Sequence, residues 1–248
     1  MRQNVYDDPR FFGEYARMRA QARGLHEAVI LPLLPELLPD LTDKRVVDLG
    51  CGDGWFCRYA ADAGAAAVVG VDSSARMLQL ARERTRDVRI SYLQAFAEEA
   101  EFPAASADVV VSILALHYVA DLDPVLAAIA AWLDHGGTFV EIVEHPIFTS
   151  QREKSGWMTV DGRHAAWPVS DYFDEGARST TWFVDGVVRY HRTVATIVDA
   201  IRGAGLAIDR VAEPRPTPAA VEATPEWADE LIRPAVLGIR AVDETRCA

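Results

Sequence analysis

The sequence is short of cysteine, of basic runs and of long apolar stretches, and each shortage narrows what the chain can be. Only Cys51, Cys57 and Cys247 occur in 248 residues, with no CxxC spacing and one left over from any pairing. That pattern favours a reducing, cytoplasmic setting over a disulfide scaffold. No metal-ligand spacing occurs, so no metal is expected. Lys and Arg number 25 against 37 Asp and Glu, a formal net charge of −12, and no basic run is present. Phosphate affinity comes mainly from Lys and Arg, so nucleic acid is not an expected partner. No apolar run approaches the roughly 18 residues of a membrane helix, and the opening MRQNVYDDPRFF lacks the apolar core of a signal peptide.

Half of the residues are hydrophobic and a quarter charged, enough for a sizeable core in a single domain. From Lys44 to Glu144 short apolar runs alternate with helical patterns. RVVDL, AAVVGVD, VRISYL, ADVVVSI and TFVEIVE read as strands. Phe56 to Ala63, ARMLQLARERT and PVLAAIAAWL read as helices. Near-continuous Val and Ile runs separated by helices predict a parallel sheet covered on both faces. Right-handed crossovers then give an α/β, doubly wound fold with its ligand crevice at the carboxyl ends of the strands. Residues 1–40 read as a helical cover, 44–145 as the core and 146–190 as an inserted, aromatic-rich lid. Residues 193–248 add a closing helix and strands. Within the insertion, TTWFVDGVVRY predicts a hairpin turning on Asp185-Gly186. EPRPTPAAVEATPEW reads as a Pro-rich surface connection.

VVDLGCGDGW places Gly50, Gly52 and Gly54 between the first strand and the next helix. Glycines there let the backbone approach a ligand closely and turn into a helix N-terminus. A glycine loop alone is shared with dinucleotide-binding folds, so a nicotinamide-dependent oxidoreductase is an alternative. The GxGxG spacing, followed by Trp55, departs from the GxGxxG pyrophosphate fingerprint. Asp48, inside the strand end, would be misplaced beside a pyrophosphate. Asp72 ends the second strand, where it can accept hydrogen bonds from ribose hydroxyls.

Together with VVGVDSSARML, FPAASADVVVSILALHYVADL and WLDHGGTFVEIVEHP, this loop resembles the class I, Rossmann-like S-adenosylmethionine-dependent methyltransferases of the small-molecule type. The likeness is good over residues 44–145 and looser over the terminal helix and strands. It implies a mostly parallel seven-stranded sheet, S-adenosyl-L-methionine as cofactor and a small-molecule acceptor. Gly50, Gly52 and Gly54 would pack under the methionine and ribose. Asp48 would orient the loop or the cofactor ammonium, Asp72 would hold the ribose hydroxyls, and Ser73 and Met77 would border the adenine. Many relatives carry Asp-Ala-Glu after the third strand, but here Phe96 stands first, before Ala97 and Glu98. The adenine would then meet the Ala97 backbone and stack on Phe96; alternatively Phe96 is core. Tyr15 and Arg19, four residues apart on one helix face, resemble a family element that closes over the cofactor and reaches its carboxylate. An ordinary amphipathic helix is the other reading.

A sulfonium is already an activated electrophile, so such an enzyme mainly aligns a nucleophile. A general base is needed only where the acceptor holds its proton firmly. The catalytic candidates lie just past the fourth and fifth strands: His117, with Tyr118 beside it for substrate, and Glu144 and His145 before Pro146 ends the strand. His145 could take a proton near neutral pH, and Glu144 could raise its basicity or bind a cationic acceptor. Alternation along a strand sends these two to opposite faces, so one of them is expected to look into the site. His117 has a packing role as its alternative. His26 and His135 read as surface residues, and His164 and His191 as weaker candidates. Trp157, Trp167, Tyr172 and Trp182 read as substrate-binding residues of a lid suited to a flat acceptor such as an indole or phenol, or else as a satellite core. A binding protein that keeps the cofactor site without catalysis is also compatible with the sequence.

Overall fold

The valine-rich runs form the middle of one sheet in the computed structural model, which describes residues 3–20, 25–153 and 156–244. Two helices come first, α1 at Pro9–Ala20 and α2 at Leu31–Leu37. The core follows as β1 Arg45–Leu49, α3 Trp55–Asp62, β2 Ala67–Asp72, α4 Ala75–Arg84 and β3 Ile90–Gln94. It continues as β4 Ala107–Ile113, α5 Leu122–Trp132 and β5 Leu133–Glu144. The insertion holds α6 at Pro146–Thr149 and two hairpins, β6 Met158–Val160 with β7 Arg163–Ala166 and β8 Gly176–Trp182 with β9 Val184–His191. Helix α7 at Val194–Gly203, β10 Leu206–Ala212, α8 Pro218–Ala223 and β11 Val236–Asp243 close the chain.

Seven strands lie in the order β10, β11, β5, β4, β1, β2, β3, with β11 antiparallel to both its neighbours and the others parallel. The order reverses between β1 and β4, which opens a crevice at their carboxyl ends. The strand–helix rhythm predicts the doubly wound arrangement, and the family resemblance implies the mostly parallel sheet of seven strands seen here. Local chemistry sets the helix starts: Ser74 caps α4 by accepting the Met77 N–H, and Thr193 caps α7 by accepting the Thr196 N–H.

The sheet has an apolar layer on each face. Val47, Val110, Phe139 and Val143 join α5 and α7 residues Leu126, Ile129 and Ile201 in one. Val46, Val68, Val111, Val140 and Ile142 join Leu34, Leu37 and Phe56 of α2 and α3 in the other. The strand period of two separates Phe139 and Val143 from Val140 and Ile142 on β5. Glu141 shares the face of Phe139 and Val143, and it is 1% exposed.

Two local expectations are corrected. The last hairpin turns at Phe183, with Trp182 opposite Val184, while Asp185 and Gly186 sit at a ladder irregularity facing Thr181. Phe183 takes φ 61°. Its ring stacks on Trp182 at 5.2 Å and meets Phe11 at 5.5 Å. That packing outweighs the roughly 1–2 kcal/mol cost of a left-handed non-glycine residue. The Pro-rich connection folds into α8, capped by Thr217, which accepts the Ala220 N–H, and then a 3-10 turn at Pro225–Leu231. Among the described residues no helix is long and apolar enough to cross a membrane.

Phe139 is fully buried at the centre of the sheet. Phe139→Ala should lower unfolding free energy by about 3–5 kcal/mol, read as a lower urea midpoint at unchanged slope.

Candidate active site

The crevice contains a cavity of about 310 Å³. Its floor is the loop after β1, drawn over the end of β2 by hydrogen bonds from the Gly50 and Cys51 N–H groups to the Val71 carbonyl at 2.7 and 2.9 Å. Gly50 has φ +86°, and a Cβ there would lie 2.2 Å from the Ala115 Cβ. No larger residue permits that approach. Asp72 accepts the Gly52 N–H at 2.8 Å on one carboxylate oxygen and the Ser74 N–H at 2.8 Å on the other. Burial pushes its pKa up to about 6, against the hydrogen bonds from Ser74 and Gly52. Gly50, Gly52, Asp72, Ser73 and Met77 all border the cavity, as do Phe96 and Ala97 after β3 and Tyr15 and Arg19 from α1.

Two expected cofactor residues stand behind this wall. Asp48 is 2% exposed and accepts the Cys57 thiol at 3.2 Å; burial raises its pKa to about 7. It supports the loop from beneath and does not reach the cavity. Gly54 caps α3 with φ +73°, and a Cβ there would lie 2.2 Å from the Tyr92 hydroxyl.

At the ends of β4 and β5 the wall is made by His117, Tyr118, Glu144 and Trp182. Glu144 faces in. Its Oε1 accepts Arg189 Nη1 at 2.6 Å, and the guanidinium lies 5.2 Å from the Trp182 ring centroid. His117 is buried, with Nδ1 lacking a hydrogen-bond partner. Burial first, then Arg189 and Arg192, hold its pKa well below the usual imidazole value. The wall is completed by Tyr6, whose ring lies 5.2 Å from Tyr15 and 6.3 Å from Tyr118. Residues 3–7 are strapped across the crevice. Gln3 bridges to the Gly186 carbonyl and the Val188 N–H, Asn4 donates to the Ser73 carbonyl, and Asp7 accepts from the Ser74 hydroxyl.

The chain matches the methyltransferase-domain family over residues 47–140. A crystal structure of an S-adenosylmethionine-dependent methyltransferase from Mesorhizobium loti is 42% identical, with a TM-score of 0.82 over 88% of this chain and all of that one. The chain belongs to the S-adenosylmethionine-dependent methyltransferases. A Listeria monocytogenes structure assigned to the same family is 39% identical, with a TM-score of 0.80 over 86% of this chain and 96% of that one. An uncharacterized Haemophilus influenzae protein is 33% identical over 96% of both chains. The nicotinamide alternative falls with this assignment. The methyltransferase's cofactor is S-adenosylmethionine, and the site fits it: a cradle that a Cβ would fill, a carboxylate ending β2, and Arg19 at the far wall.

Four expected acceptor-side residues lie elsewhere. His145 is 2% exposed and turns away: Nδ1 accepts the Ile147 N–H at 3.1 Å, capping α6, and Nε2 bonds Glu213 at 2.9 Å. Strand alternation thus admits Glu144 and expels its neighbour. Trp157 and Trp167, with Phe148, box the Arg233 guanidinium at 5.1, 4.4 and 4.6 Å from their ring centroids. They form the satellite core. The Tyr172 hydroxyl accepts the Val194 N–H at 3.1 Å and so ties the insertion to α7. The sequence reading missed Tyr6, Asp53 and Trp55 as wall residues. Asp53 and Trp55 were adjacent to the glycines and legible by position; Tyr6 carried no pattern. The side chain of His26 lies outside the described residues.

Asp72 should couple cofactor binding to pH, because a hydroxyl donor favours the ionised carboxylate. S-adenosylhomocysteine affinity, measured by calorimetry, should be level above pH 7. It should fall toward about tenfold per unit below the Asp72 pKa of about 6. Asp72→Asn should abolish that dependence and weaken binding by at least about tenfold.

Arg189→Met should cost about 3–5 kcal/mol by leaving the Glu144 carboxylate buried without its counter-charge. The double variant with Glu144→Gln should recover most of that loss in urea unfolding.

Proposed function

We propose that this methyltransferase acts on a compact, ring-bearing small molecule, such as an indole or phenol of specialised metabolism, at an O, N or C nucleophile. The observation that carries the reading is the aromatic wall of Tyr6, Tyr15, Tyr118 and Trp182 around the acceptor end of the cavity. Stacking and apolar burial supply affinity for a flat body, and one carboxylate, Glu144, borders the cavity beside the rings. The net charge of −12 weighs against a nucleic-acid acceptor. Cysteine usage supports a reducing, cytoplasmic setting.

S-adenosylmethionine supplies an electrophilic methyl group on its sulfonium. The chain's residues supply orientation and somewhere for a proton to go. Arg189 fixes the Glu144 carboxylate, so an acceptor donor group meets a preset partner. His117 is neutral near pH 7, because burial and two arginines oppose its protonation, and a neutral imidazole can accept a proton.

A screen of indoles, phenols and cyclic amines with S-adenosylmethionine should show a one-methyl mass gain matched by S-adenosylhomocysteine. Trp182→Ala should raise KM for the responding acceptor about tenfold while cofactor affinity stays within about twofold. Absence of methyl gain across the panel, with cofactor binding intact, would point to a binding protein instead.

A further inference from the structure

Behind the acceptor wall lies a second, much smaller chamber of about 10 Å³. His117 borders both spaces, so its ring is part of the partition between them. On the far side is Glu141, 1% exposed, with neither carboxylate oxygen hydrogen-bonded. An acidic side chain inside an apolar strand is costly, and a buried carboxylate without a donor is among the most expensive groups a core can hold. Nothing in the sheet needs it there: Phe139 and Val143, on the same face, are ordinary core residues. The chamber has about the minimum volume for one water molecule.

We propose that Glu141 is the proton-holding residue of this enzyme: a proton leaving the acceptor passes to His117 and then, across a single water in the chamber, to the Glu141 carboxylate. This rests on the acceptor occupying the cavity beside His117. Methylation at X–H forms an X–C bond as the methyl's bond to the sulfonium sulfur breaks, its electron pair staying on S-adenosylhomocysteine, and the X–H bond breaks to release one proton. His117 takes that proton on its ring. The imidazolium passes a proton to the water as the water delivers one to Glu141, so a carboxylate becomes a carboxylic acid and the imidazole is neutral again. No oxidant or further reactant enters.

The surroundings make that direction downhill. Burial raises Glu141 to about 7, against the Arg192 charge. Burial, Arg189 and Arg192 depress His117. The imidazolium is therefore the weaker keeper of the proton. Arg192 also borders the chamber and its charge favours the Glu141 carboxylate, but neither Glu141 oxygen has a hydrogen-bond partner, while Arg192 Nη2 donates to the Val119 and Ala120 carbonyls at 2.6 and 3.0 Å. Glu144 on the same strand and Tyr190 on β9 also face the chamber. Thr149, which borders it from α6, bonds His191 Nδ1 at 2.8 Å. Glu175 and Asp121 act on Arg192 from further out. Glu141 does not touch the acceptor; it receives the proton only through His117.

The test uses the full chain loaded with S-adenosylhomocysteine and needs no acceptor. Infrared difference spectra of wild type minus Glu141→Gln should contain a protonated-carboxyl band that disappears with a midpoint of about 7. Nitrogen-15 spectra, with His117 assigned through His117→Gln, should show its ring shifts following the same midpoint in wild type and losing it in Glu141→Gln. Stability separates this role from a structural one. The native pKa of Glu141 exceeds its unfolded value, so ionisation penalises the fold progressively from the unfolded pKa up to about 7. Glu141→Gln should therefore melt above wild type at pH 8 and level with it near pH 4. No carboxyl band titrating between pH 5 and 9, His117 shifts indifferent to the substitution, or a lower melting point at pH 8 would each overturn the proposal. A failure to bind S-adenosylhomocysteine would count instead against the cofactor reading and leave these three measurements standing on the unloaded protein.

Discussion

Asp72 stands where β2 ends, and its carboxylate bonds the backbone of two loops at once. One oxygen holds Gly52 in the turn after β1; the other holds Ser74 at the start of α4. The floor of the cavity exists because these segments are kept at one distance. Ser74 caps α4 and bonds Asp7, so the same point also carries the N-terminal strap. The absence of a side chain at Gly50 lets the loop settle against Ala115, and the Val71 carbonyl accepts the N–H groups of the turn. Burial raises the Asp72 pKa against its backbone donors, so each further donor that a ligand brings favours the ionised carboxylate.

The acceptor end is organised by a second buried charge. Arg189 comes from the insertion and Glu144 from the sheet, so their ion pair docks the β8–β9 hairpin onto β5. Desolvating both partners is expensive, and the pairing offsets that cost only while the geometry holds. Trp182 packs against the guanidinium and presents its ring to the cavity. The Arg233 box does similar work further out. It keeps the rest of the insertion folded around Trp157 and Trp167 without touching the site.

Several site residues were legible because their chemistry is backbone chemistry. A glycine with positive φ after a strand and an acid at the end of the next strand specify a ligand loop wherever they occur. Tryptophans in an insertion carry no such specification. Trp157, Trp167 and Trp182 look alike in sequence, and one borders the cavity while two enclose an arginine. Glu141 was visible as an acid within TFVEIVE, a break in an otherwise apolar run. The end of the same run offered Glu144 and, directly after it, His145, whose position at the strand end drew the functional reading first.

By itself the sequence determined the doubly wound sheet, the crevice at its switch point and the cofactor loop, because strand and helix periods and glycine conformations act over a few residues. The tertiary structure decided which side chains meet in the cavity. Strand parity turned Glu144 inward and His145 toward Glu213. Aromatic packing moved the hairpin turn to Phe183 and brought Tyr6 over the crevice. Those outcomes depend on contacts between segments far apart in the chain, and their energies are set by burial, which no local pattern encodes.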